Sequence, residues 1–309
     1  MVSYAERAPR MTHVFYSPDY AGAGHEFDTT RKSRWIADSL ARSPVNGIEL
    51  VEPTPLTAEQ ILSVHQAAYV NAVRTGEPRS LAESQGFTWD PNVWAMVTAS
   101  NGGAVAAAMT ALETGVAGSL SSGLHHAKAN RGEGFCTFNG LVIAAREALA
   151  AGAKSVLILD LDAHCGGGTA ALIASEPRIS QVDVSVSEFD RYIPTRRVRL
   201  ETVDRAEDYL PTIARLLDES IIESAFDLCI YNAGMDPYEK SDIGALAGIT
   251  REILAERERL VFDRCESTRT PIAFVLAGGY IGGDFDRASL VDLHRLTLEE
   301  SARVGRVAL

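Results

Sequence analysis

The stretch Leu159-Asp160-Leu161-Asp162-Ala163-His164 sets two carboxylates and an imidazole at alternate positions, directly after the apolar segment Ser155–Ile158. Side chains two apart on a strand project the same way. Asp162 and His164 can therefore grip one metal ion. Asp236, in Asn232-Ala233-Gly234-Met235-Asp236-Pro237, follows another almost wholly apolar run. Asp-Pro is also a common turn pair. Read as a third ligand, Asp236 completes a set of one nitrogen and two carboxylates. That set leaves an open position for water and substrate, the mark of a catalytic rather than a structural zinc site.

Three further segments carry chemistry at strand ends. His125-His126 precedes a glycine-rich turn, Gly132-Glu133-Gly134-Phe135-Cys136. In a loop both imidazoles can enter one cleft. Gly278-Gly279-Tyr280 lets the backbone turn sharply and aims a phenol at a developing oxyanion. Ser185 ends another strand, where it can contact the Asp160–His164 segment or serve as a plain strand-end hydroxyl. Two histidines, a metal triad and a phenol together supply what amide hydrolysis needs. These are an activated water, a polarised carbonyl and a proton for the departing amine.

These residues must be positioned by strands and helices. Apolar runs predict strands at His13–Tyr16, Gly118–Ser122, Ser155–Asp160, Val182–Val186, Asp227–Asn232 and Ile272–Ala277. Between them, helical periodicity covers Arg31–Ala41, Ala58–Arg74, Asn92–Glu113, Gly140–Ala151, Asp204–Glu223 and Arg251–Cys265, with a last helix over about Leu290–Val304. Thr57-x-x-Gln60 has the form of a capping box. Alternating β and α units predict an α/β fold with a central, mostly parallel sheet flanked by helices. Ligands in such folds sit beyond the carboxyl ends of the strands. No linker or repeat divides the 309 residues, so one domain over 1–309 is expected. Thr75–Pro91 is the longest stretch without periodicity.

The net charge of −12 excludes nonspecific nucleic-acid binding, which needs a basic face. Met1–Met11 lacks the apolar core of a signal peptide, and no apolar run reads as long enough to span a bilayer. Four widely spaced cysteines without a C-x-x-C pair fit buried, reduced thiols and a cytoplasmic setting. Homo-oligomerisation is compatible with this composition.

Taken in order, the motifs resemble the histone deacetylase family, including its bacterial acetylpolyamine amidohydrolases. The resemblance is carried by Gly24-His25 with Arg31, Val64-His65-x-x-x-Tyr69-Val70, Gly102-Gly103, His125-His126-Ala127, Gly134-Phe135-Cys136 with Asn139, Asp160-x-Asp162-x-His164, Asp236 and Gly278-Gly279-Tyr280. It implies an arginase-like fold and one zinc ion on Asp162, His164 and Asp236. It implies His126 as general base, and His125, oriented by Asp160, as electrostatic partner and proton donor. Tyr280 would bond the amide carbonyl. Gly134 and Phe135 would form one wall of a tunnel, with Tyr192 or Ile193 on the other. Asp90 would contact the substrate backbone, and Arg31 would line a channel behind the metal. Potassium would be held by backbone oxygens of Asp160, Asp162 and His164 and by the Ser185 hydroxyl. The substrate implied is an acyl-lysine, an acetylpolyamine or a small acylated amine.

After His164 the pattern changes. The family runs His-Gly-Asp/Asn-Gly, whereas this chain has Cys165-Gly166-Gly167-Gly168. The carboxylate expected to orient His126 is missing at Gly167, so water or another residue is expected beside His126. Ser187 stands where many relatives carry His. The tail Gly282-Gly283-Asp284-Phe285 and the short chain favour a bacterial-type amidohydrolase. Two rival readings remain. Asp162-Ala163-His164 resembles the arginase motif, but Gly166 occupies the place of the carboxylate for a second manganese. The altered Cys165–Gly168 segment also suits a non-catalytic protein that keeps the metal cleft.

Overall fold

The structure is a computed structural model that describes residues 11–24, 27–223 and 225–305. His25 of the Gly24-His25 motif and nearly all of Met1–Met11 lie outside those residues. The strands are β1 (Thr12–Phe15), β2 (Ile48–Val51), β3 (Val116–Ser119), β4 (Val156–Asp160), β5 (Ile179–Ser185), β6 (Val198–Thr202), β7 (Leu228–Gly234) and β8 (Ile272–Ala277). The helices are α1 (Asp28–Arg42), α2 (Ala58–Leu62), α3 (Ala67–Thr75), α4 (Arg79–Ala82), α5 (Val93–Thr114), α6 (Gly140–Ala150), α7 (Gly167–Leu172), α8 (Ala206–Glu223), α9 (Arg251–Thr268) and α10 (Arg287–Gly305).

The eight strands form one parallel sheet in the order β2-β1-β3-β8-β7-β4-β5-β6. Strands β4, β7 and β8 are buried along their whole length, because helices cover both faces. Strand alternation divides the core. Leu157 and Leu159 pack with α8, α9 and α10, whereas Val156 and Ile158 pack with α5 and α6. The strands that carry the chemistry are therefore the four innermost, β3-β8-β7-β4. Their carboxyl ends lie side by side, with Asp160 opposite Asn232 and Gly234 opposite Ala277.

Several expectations are corrected. Strands β2 and β6 were not anticipated. Both lie at the sheet's outer positions and are partly exposed: β2 (Ile48-Glu49-Leu50-Val51) is only four residues long, and β6 (Val198-Arg199-Leu200-Glu201-Thr202) alternates apolar and polar residues, so no long apolar run announces them. The helix expected over Ala58–Arg74 breaks after Leu62 and restarts at Ala67. Its capping box at Thr57 and Gln60 is formed. The break turns His65 inward, where its ring bridges the Lys128 carbonyl (2.9 Å) and the Asn139 amide (3.0 Å). Burial pushes the His65 imidazole down to about 4, so it stays neutral in this bridge. Finally, α5 is 22 residues long and apolar enough by length and composition to cross a membrane, contrary to the expectation that no segment is. It packs as a core helix against β3, α6 and β8.

Candidate metal and catalytic site

Asp160 ends β4, and the chain beyond it turns across the sheet edge. Asp162, His164 and Asp236 meet there, with one donor atom from each lying within 4.8 Å of the others. His164 Nδ1 is 3.0 Å from Asp162 Oδ1 and 3.1 Å from Asp236 Oδ2. One ring proton cannot serve both carboxylates, and Asp236 Oδ2 is left buried without a hydrogen bond. Burial works against a charged His164, but Asp162 and Asp236 outweigh it and push the imidazole up to about 10. Burial, with Asp162 beside it, pushes the Asp236 carboxyl up to about 6. Two buried carboxylates, one with an orphaned oxygen, converge on one imidazole nitrogen. The donor set fits a divalent cation such as zinc. Among the described residues it is the one cluster of three or more such groups.

The backbone around Asp236 makes room for it. Gly278 has φ +52°, and a Cβ there would lie 2.1 Å from Asp236 Oδ1. Its carbonyl accepts from Lys32 Nζ at 2.9 Å. Lys32 is fully buried. Burial pulls its ammonium down to about 8, against the attraction of Asp236 and Asp162. Arg31, expected to line this inner space, is instead exposed and lies over the Trp35 ring. The buried cation is the next residue, because the pitch of α1 turns Lys32 inward with Ile36 and Leu40.

Arg257, on α9, is a second buried cation that the sequence reading missed. It donates to the carbonyls of Gly234 (2.6 Å) and Leu161 (3.3 Å), joining the ends of β7 and β4. Its charge is met by Glu258 Oε1 at 2.6 Å, which also accepts from Tyr231 at 2.7 Å. Arg257 and Glu258 are two of many charged residues on α9, and nothing local in the sequence marks them as buried.

The histidine pair occupies the same cavity as Asp162, Phe135, Gly134 and Tyr280. The two imidazoles stand 3.9 Å apart between centroids. His125 Nδ1 meets Asp160 Oδ2 at 2.8 Å. The other Asp160 oxygen accepts from Asn232 Nδ2 at 2.8 Å, which fixes the carboxylate. Burial opposes charge on His125, but Asp160 and Asp162 prevail and push it up to about 10. His126 goes the other way. Burial, then the neighbouring His125, pushes it down to about 4 against the pull of Asp190.

Asp190 is the other residue expected beside His126 in place of a carboxylate at position 167. His126 is held neither by water nor left free, because its Nδ1 is 3.0 Å from Asp190 Oδ2. Asp190 comes from the loop after β5, 64 residues away in sequence. The carboxylate–imidazole pair is therefore present, and with it falls the ground for reading the chain as a non-catalytic remnant.

The second tunnel wall is also corrected. Tyr192 turns inward and donates to the Arg199 carbonyl at 3.0 Å, and Ile193 is 89% exposed. Phe189 takes the position instead, edge-on to His126 at 4.9 Å and to His164 at 6.0 Å. Phe27 packs against Phe135 at a tilt (4.3 Å) and lies 5.5 Å from Tyr280, with Phe87 also against Phe135. Phe87 belongs to the Thr75–Pro91 stretch, which thus contributes to the entrance. Asp90 is not among the residues lining the cavity. Its carboxylate accepts from Asn92 N (2.7 Å) and Gly24 N (3.4 Å) instead. Ser185 donates to Asp183 Oδ1 at 2.6 Å, a buried carboxylate that the sequence reading did not single out. All four cysteines are free and buried.

A model of the histone deacetylase domain matches residues 25–291. An uncharacterized protein of Picosynechococcus is 34% identical over 302 residues, covering 94% of this chain and 98% of that one. Histone deacetylase 2 of Arabidopsis thaliana is 26% identical over 271 residues, 83% of this chain and 70% of its own. Among solved structures, an acetylpolyamine aminohydrolase from Burkholderia pseudomallei superimposes with a TM-score of 0.76 at 17% identity, covering 95% of this chain and 99% of that one. At that identity the likeness is one of fold.

Two outcomes follow from the site's packing. Gly278→Ala should drive a methyl into Asp236 and weaken the cluster's affinity for a divalent metal ion by about 10–100-fold, read by competitive titration with zinc. Arg257→Met strands Glu258 as an unpaired buried charge and lowers stability by about 3–5 kcal/mol, read by urea denaturation.

Proposed function

The chain belongs to the histone deacetylase family, and from that premise we propose that it is a zinc-dependent amidohydrolase. It removes an acyl group, acetyl in the first instance, from an amine such as acyl-lysine, an acetylpolyamine or a small acylated metabolite. One observation carries this reading. A buried Asp162–His164–Asp236 cluster stands beside two histidines whose surroundings drive their basicities apart. Such splitting assigns an acid and a base within one pocket.

Zinc held by Asp162, His164 and Asp236 supplies a lowered water pKa and a polarised carbonyl. The remaining work falls to side chains. His126 is neutral and takes a proton from the attacking water through Nε2, since Nδ1 faces Asp190. His125 is held cationic by Asp160, stabilises negative charge in the pocket and has a proton to give the departing amine. The Tyr280 hydroxyl donates to the carbonyl oxygen as charge gathers there. Phe135 and Phe189 flank the acyl-amine chain and exclude water from its apolar part. Potassium would lie against backbone oxygens of Asp160, Asp162 and His164. The Ser185 hydroxyl, whose proton goes to Asp183, keeps lone pairs free for that cation.

The test is turnover of acetyl-lysine peptides, acetylputrescine and acetylspermidine by zinc-loaded protein. His126→Ala should lower kcat by about 100-fold or more, and Tyr280→Phe by a similar factor. An absence of hydrolysis across a broad panel of acylated amines would overturn the reading. The rate should fall at low pH as His126 gains a proton, and at high pH as His125 loses one. Asp160→Asn removes the carboxylate that keeps His125 charged, so it should move the alkaline limb of kcat/KM to lower pH.

A further inference from the structure

We propose that Asp190 and Lys128 form a relocated positioning device for His126, replacing the carboxylate that Gly167 cannot supply. The inference rests on the reading of His126 as the base, and goes beyond it by naming what orients that base in this chain.

The geometry of the exchange is specific. A Cβ built on Gly167 would lie 2.2 Å from the Asp190 carbonyl oxygen and 2.4 Å from its Oδ1. Asp190 thus occupies the volume that any side chain at 167 would need. A carboxylate at 167 and one at 190 exclude each other, and this chain has the second. Asp190 takes a left-handed backbone, φ 58°, to get there. For a residue with a Cβ that conformation is sparsely populated, and surrounding contacts must hold it. They do. Cys165 N donates to the Phe189 carbonyl at 3.0 Å, and Cys165 Sγ lies 3.2 Å from the Ser187 carbonyl.

Both carboxylate oxygens are committed. Oδ2 faces His126 Nδ1 and accepts from Gly168 N at 3.0 Å. Oδ1 pairs with the Lys128 ammonium. Lys128 lies two residues after His126 and also has Glu133 at 3.8 Å. With Oδ1 tied to Lys128, the carboxylate cannot rotate Oδ2 away from the imidazole. An acceptor fixed at Nδ1 keeps the proton there and leaves Nε2 as the basic nitrogen. Lys128 is therefore a positioning residue that acts through Asp190, and Asp190 one that acts through His126. The residue before Asp190 is Phe189, whose ring meets the same imidazole edge-to-face at 4.9 Å. One turn thus holds both the tunnel wall and the carboxylate that sets the base.

Asp190→Ala, Lys128→Met and Lys128→Arg test this. Heteronuclear NMR of imidazole-15N-labelled, zinc-loaded protein reads the His126 tautomer without need of a substrate. The intact protein should show the Nδ1–H form. Asp190→Ala should lose it, and Lys128→Met should show a mixture that Lys128→Arg largely restores. With acetyl-lysine peptide, kcat should fall about 10–100-fold in Asp190→Ala and about 10-fold in Lys128→Met, with KM and zinc content little changed. An unchanged Nδ1–H form in Asp190→Ala overturns the proposal. So does loss of zinc in step with kcat, which would make the pair a scaffold contact. If the intact protein hydrolyses no acylated amine, the functional reading fails, and the tautomer alone decides whether this device exists.

Discussion

Buried negative charge governs this structure. Asp160, Asp162 and Asp236 all lie within the protein at the carboxyl edge of one sheet, each at most 4% exposed. Taking carboxylates out of water costs several kcal/mol apiece unless partners compensate. The fold supplies those partners from every side. His125 faces Asp160, His164 stands between Asp162 and Asp236, and Asn232 closes the free oxygen of Asp160. Lys32 and Arg257 approach from α1 and α9 and bind the backbone at Gly278, Gly234 and Leu161, rather than the ligands themselves. One oxygen of Asp236 remains unanswered, and a divalent cation is the partner that would answer it.

The parallel sheet makes this concentration of charge possible. Inner strands buried on both faces are stiff and closely registered, so the residues just beyond their ends meet reproducibly. Asp162, Asp236, Tyr280 and the histidine pair come from four segments far apart in sequence, yet each sits a few residues past an inner strand. The flanking loops add what the strands cannot. They carry the phenylalanines of the entrance, and one of them reaches back with Asp190 to seat His126.

Much of this was legible in the sequence, for a physical reason. The inner strands are largely apolar and stand out, and the chemical residues are polar interruptions at or shortly after their ends. The outer strands β2 and β6 lack that contrast. The site's supporting residues were harder to read, because their roles depend on distant partners. Arg31 and Lys32 differ by one position on α1, and only the helix phase decides which is buried. Arg257 looks like any charged residue on a long helix until the strand ends it braces are in view. Tyr192, Ile193 and Phe189 share one irregular loop whose direction no periodicity sets. Gly167 signalled a missing carboxylate, but its replacement lay on that same loop, beyond the reach of local pattern.

The central claim is that Asp162, His164 and Asp236 hold one catalytic zinc. Elemental analysis of the purified chain after equilibration with mixed zinc and manganese tests it most directly. The account predicts one zinc per chain, retained through dialysis and lost when Asp236 is replaced by alanine. Two manganese ions per chain, or zinc retained by an Asp162→Ala/Asp236→Ala double variant, would contradict it.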